Sequence, residues 1–74
     1  MTVDEAKKIV LKQIRGITTK EFPLAWVSDL LEEDENEYIF EAAPYAQGEN
    51  PEDEAVLHAV NKHTGKVEVR IDLA

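Results

Sequence analysis

Seventy-four residues with 43% apolar content describe one domain, near the lower size limit for a chain that folds without staples. Cysteine is absent, which excludes disulfides, thiol nucleophiles and thiolate metal sites and is compatible with a reducing compartment. Net charge is −8 and uneven: residues 21–54 carry twelve acids and no Lys or Arg, whereas residues 1–20 sum to +3 and residues 55–74 to +1. Such a field repels phosphates, so direct binding to nucleic acid or to an anionic membrane is disfavoured. An interior this small does not enclose a substrate, which argues against an enzyme, and pairing with another chain, a homodimer included, would add stability.

The N-terminal stretch MTVDEAKKIVLKQIRG reads as an amphipathic helix. Thr2 and Glu5 form a capping box, and Val3, Ala6, Val10, Ile14 and Ile17 recur at three- and four-residue steps, with Gly16 as the stop. The stretch has no uninterrupted apolar region of the signal-peptide kind, and no run approaches a membrane span, so the expected address is cytoplasmic. FPLAWVSDLL and YIFEAAPY are rich in strand formers and flank the acidic hexapeptide EEDENE, the pattern of a hairpin. Leu24, Trp26, Ser28 and Leu30 are predicted to share one face of the first strand, and Pro44 to end the second or place it at an edge. AQGENPEDE is the long loop, and AVLHAVNK and KVEVRIDL follow as strands, with Val67, Val69, Ile71 and Leu73 facing in. The predicted architecture is α+β, a single domain over residues 1–74. An N-terminal helix packs on a four-stranded antiparallel sheet in the order α-β-β-β-β.

Several constellations invite chemistry and fail on spacing. EEDENE lacks the glycine and flanking helices of a calcium loop. HTGK lacks the first glycine and following helix of a phosphate-binding loop; a three-residue hairpin loop with Gly65 left-handed accounts for it. His58 and His63 have no third ligand, and Ser28 has neither elbow glycine nor following helix. Trp26, Phe22, Phe40 and Tyr38 are expected in the core, and Tyr45 at the surface. No metal, cofactor or catalytic residue is expected.

Two motifs carry a family resemblance. TVDEAKKIV fits T-x-x-E-A-x-x-I-x, and VNKHTGKV fits V-[DN]-K-x-T-G-x-V; with the strand YIF they make the chain resemble small bacterial α+β proteins of two kinds. One is the PepSY-type domain; the other is the immunity protein 35 group of polymorphic toxin systems. The first resemblance implies an exported or membrane-associated modulator of proteases. The second implies a cytosolic antidote that binds and blocks a toxin domain. Neither carries over a catalytic residue, and the matching positions Ala6, Val60, Thr64, Gly65 and Val67 have structural readings of their own.

The functional expectation is therefore a non-enzymatic acidic domain that occupies the basic site of a partner protein, such as a toxin or nuclease. The candidate contacts are Glu32, Glu33, Asp34, Glu35 and Glu37 in the acidic turn, then Tyr45, Glu49, Glu52, Asp53 and Glu54 at the second loop. The alternatives are a PepSY-like protease modulator and a DNA-mimic inhibitor of a nucleic-acid-binding protein.

Overall fold

The computed structural model describes residues 1–71 and shows one α-helix packed on one face of an antiparallel sheet. Helix α1 spans Val3–Arg15. The capping box is complete: Thr2 Oγ1 accepts from the Glu5 N–H, and Glu5 Oε1 accepts from the Thr2 N–H at 3.0 Å. Ala6, Val10 and Ile14 are buried, as the helical period predicts. Ile17 departs from that stripe and is exposed, because the helix has already ended at Gly16, whose N–H bonds to the Lys12 and Gln13 carbonyls.

Among the described residues the sheet has five strands where four are predicted: β1 Leu24–Val27, β2 Glu32–Glu33, β3 Glu37–Tyr45, β4 Val56–Asn61 and β5 Val67–Arg70. Their order is β1-β3-β4-β5, with β2 pairing β3 beyond β1. The extra strand comes from an interruption in FPLAWVSDLL. Val27 is opposite Ala42 and Glu32 is opposite Ile39, so Ser28 to Leu31 face only Phe40 and Glu41. Ser28 makes this bulge possible, since its Oγ accepts from the Glu41 N–H at 2.8 Å in place of a backbone carbonyl. Leu30 therefore packs against the core cluster and leaves the face shared by Leu24 and Trp26, which corrects the single-face expectation.

Pro44 does not end β3. The ladder to β4 stops at Ala42 opposite Val56, so Pro44 has a neighbour only in Ala25 of β1, and its missing N–H breaks no bond to β4. Alternation along β3 puts Tyr38, Phe40 and Ala42 into the core, where they meet Ala6, Val10, Ile14, Val27 and Val60. Tyr38 also donates its hydroxyl to the Met1 carbonyl at 2.9 Å, tying the start of the helix to the sheet. Lys62 lies 4.6 Å from the centre of the Tyr38 ring, a cation–π contact on the same side chain.

β5 shares the helix-facing side through Val67 and Val69, yet α1 packs chiefly on β1 and β3. Val67 is half-buried, Val69 is 47% exposed and Ile71 67% exposed. Of the residues predicted to face in, Val67 packs against the core cluster, Val69 lies on the helix-facing side without cover, and Ile71 follows the end of the strand; Leu73 lies outside the described residues. The β4–β5 connection is a four-residue loop rather than the predicted three. Asn61 N–H donates to the Lys66 carbonyl, and Lys62 to Gly65 lie between. Asn61 Oδ1 accepts from His63 and Thr64, and the loop closes through Gly65 at φ +74°, where any Cβ-bearing residue is strained. A side chain there would meet Met1 Cε at 3.4 Å and Ile9 Cδ1 at 3.7 Å, ordinary contacts, so the requirement for glycine is conformational.

Candidate functional site

The acidic hexapeptide is half strand and half turn. Glu32 and Glu33 belong to β2, and Asp34 N–H donates to the Glu37 carbonyl to close the turn. Among the described residues no non-glycine residue has positive φ, so the turn is not one of the mirror-image types that suit tight hairpins. Asp34 compensates with its side chain: Oδ1 accepts from Asn36 N–H at 2.7 Å and Glu37 N–H at 2.8 Å. Those two bonds, Asn36 first, hold the Asp34 carboxyl below its ordinary value.

A pH dependence follows. A carboxyl with a lowered folded pKa adds stability that is complete above its unfolded value near ~4 and is lost as pH falls through the folded one. Asp34→Asn keeps the acceptor oxygen but not the titration. Urea midpoints of the two chains should differ at about pH 6, with the wild type higher, and approach each other as pH falls below about 4. A gap that stays constant across that range would contradict the assignment.

Two more acids of the turn are engaged within the chain. Glu33 Oε2 is 2.7 Å from Lys62 Nζ, a pair that raises the lysine pKa. Glu37 Oε2 is 2.7 Å from the Arg70 guanidinium, which also bonds Glu68 at 3.0 Å, and these carboxylates raise the arginine pKa further. Glu32 and Glu35 are exposed and make no ion pair among the described residues. The turn is thus a mixed-charge end of the sheet, where Lys62 and Arg70 partly neutralise the acids.

The second loop differs. Asn50 Oδ1 caps the short 3-10 turn Pro51–Asp53 by accepting from the Glu52 N–H. Glu49, Glu52, Asp53 and Glu54 are all exposed and pair with no base among the described residues. The two acidic segments are not one surface. They leave opposite ends of the nine-residue β3, about 27 Å apart at about 3.4 Å per residue.

What sequence reasoning missed is the outer face of the sheet. Cross-strand partners share a face, so Leu24 opposite Tyr45, Trp26 opposite Ala43, Glu41 opposite Leu57, and Leu57 opposite Arg70 all point away from α1. Among the described residues no α-helix covers that side. Trp26 and Tyr45 are half-buried there and Leu24 is exposed, with Ile39 and Leu57 continuing the apolar strip. Trp26 is thus not in the core as expected, and neither is Phe22, which is 36% exposed; Phe40 and Tyr38 are. The alternating apolar residues on both sides of YIFEAA were the available signal.

Other chemistry finds little support in the geometry. Among the described residues no three His, Asp or Glu side chains converge as metal ligands would. His58 is buried with Nδ1 2.9 Å from its own strand's Val56 carbonyl, while His63 is exposed in the β4–β5 loop. A depression of about 400 Å³ beside Glu37, Asn61, Thr64 and Glu68 is open to solvent, and the two carboxylates are held by Arg70. No helix among the described residues is long and apolar enough to cross a membrane. Comparison of the chain with protein-family models, with curated proteins and with solved structures found no match in any of the three.

Proposed function

We propose that the chain is a non-enzymatic protein-binding domain of the inhibitor or immunity kind, which docks in the cytoplasm on the basic site of a partner protein. The observation that carries this reading is the placement of Leu24, Trp26 and Tyr45 on the sheet face that no α-helix covers among the described residues, at the end where the Glu49–Glu54 acids begin. Aromatic anchors beside a charged rim are the composition that protein interfaces favour. Twelve acids without a base in residues 21–54 supply long-range attraction to a site rich in Lys and Arg. TVDEAKKIV and VNKHTGKV resemble the immunity protein 35 group, which agrees with this reading, and resemble PepSY-type domains equally. Tyr45, Glu49, Glu52, Asp53 and Glu54 are assigned direct contact, with Glu32 and Glu35 adding to the field. Glu33, Asp34 and Glu37 are assigned to holding the other end of the sheet together.

The test is capture from native lysate, comparing the wild type with a chain in which Glu49, Glu52, Asp53 and Glu54 become Gln or Asn. A second comparison chain has Glu32, Glu33, Asp34, Glu35 and Glu37 so replaced. A basic protein held by the wild type and by the second variant, and lost by the first, is the expected result. Equal capture by all three would overturn acidic docking. It would favour the PepSY-like reading, in which the open β5 edge binds the partner by strand pairing.

A further inference from the structure

We infer that β5 is a self-complementary edge through which two copies of the chain pair into one continuous antiparallel sheet. The first observation is which backbone groups are spare. Asn61 bonds Lys66 across the β4–β5 ladder, and bonded pairs recur every second residue, so Ala59–Glu68 and Leu57–Arg70 are the other bonded pairs. Val67, Val69 and, by the same alternation, Ile71 therefore turn their N–H and C=O groups outward to the open edge.

The second observation is the side-chain order Val67, Glu68, Val69, Arg70, Ile71. A twofold axis at Val69 sets Val69 against Val69 of the second copy and Val67 against its Ile71. These are the residues whose backbone groups face out, so each pair exchanges both of its bonds. The same register sets Glu68 against Arg70 of the second copy, and Arg70 against its Glu68, an opposite-charge pair on each side of the axis. Arg70 uses Nε for its own Glu68 and one terminal nitrogen for Glu37, which leaves guanidinium donors for the second copy.

Burial points the same way. Val69 on the helix-facing side is 47% exposed and Ile71, just past the strand, is 67% exposed, and pairing would bring both copies of these side chains together. Charge selects this edge over the other. β1 stops at Val27 and its side of β3 continues as the acidic Glu32–Glu33, which would repel its own copy. β5 balances Glu68 against Arg70 within a chain of net charge −8. Charges on an edge can also serve to discourage pairing; in this register each charge meets its opposite, which favours the pair.

Sedimentation velocity of the full chain between roughly 5 and 500 µM at ~0.15 M salt tests the pairing, because an interface of this small size is expected to be weak. The wild type should shift from one chain toward two over that range. Val69→Pro removes an outward N–H without touching the β4 ladder, and should remain monomeric throughout with an unchanged circular-dichroism spectrum. Glu68→Arg and Arg70→Glu should each fail to dimerise alone, because each places like charges opposite. An equimolar mixture of the two should dimerise, since both cross-strand positions then set a guanidinium of one chain against a carboxylate of the other. The mixture decides the matter should the proline chain not fold. A wild type that stays monomeric at the top of the concentration range, a Val69→Pro chain that still dimerises, or a mixture no better than its components would each overturn the inference.

Discussion

Phe40→Ala should remove a large share of the stability of the fold. Phe40 is fully buried in the middle of β3, between the helix stripe Ala6–Val10–Ile14 and the flanking strands. Truncating a buried phenylalanine costs about 3–5 kcal/mol, the lost transfer energy plus the cavity left behind. A chain of 74 residues at about 0.05–0.15 kcal/mol per residue has roughly 4–11 kcal/mol in total. With a urea dependence near ~1 kcal/mol per molar for so small a domain, the midpoint should fall by about 3–5 M. Ile17→Ala is the matched control: Ile17 is 56% exposed beyond the helix end, and its loss should cost under about 0.5 kcal/mol. Equal effects of the two substitutions would mean that the core is not centred on β3.

Trp26→Ala should separate folding from binding. Trp26 projects from β1 on the uncovered face, directly opposite the buried Ala43, and is half-buried. Removing it exposes part of one face, a cost of about 1–2 kcal/mol at about 25 cal/mol per Å² of apolar surface returned to water, and the chain should stay folded. A central aromatic anchor at a protein interface is worth about 2 kcal/mol or more, so affinity for the captured partner should fall about 30-fold. Calorimetry with the partner and a urea titration of the free chain give the two numbers. Unchanged affinity would remove the outer sheet face from the interface.

The helix was readable because two independent signals agree: the capping box at Thr2 and Glu5, and the apolar stripe of Ala6, Val10 and Ile14. The core of β3 was readable from strict alternation through Tyr38, Phe40 and Ala42. Alternation says which residues share a face, not which face a helix will cover, and so Trp26 was misplaced. The same limit applies to Val69, because a 13-residue helix seated chiefly on β1 and β3 leaves cover over Val67 but not over Val69. β2 was hidden because two glutamates have no strand signature; they pair only after Ser28 has stood in for a backbone carbonyl.

Within the candidate site, the acids themselves were plain in the sequence, but their internal partners were not. Lys62 and Arg70 come from the β4–β5 hairpin, far along the chain from Glu33 and Glu37, and only the strand order brings them together. The separation of the two acidic segments was legible in principle. One extended strand joins them, so they leave its opposite ends whatever its neighbours.

The most direct test of acidic docking is the affinity for the captured partner measured at about 50 and about 500 mM salt, where the screening length falls from roughly 14 to roughly 4 Å. Docking of the Glu49–Glu54 end on a basic site predicts at least about a tenfold loss of affinity over that range, carried mainly by the association rate. An affinity that holds constant would contradict it and would assign binding to apolar or strand-edge contacts alone.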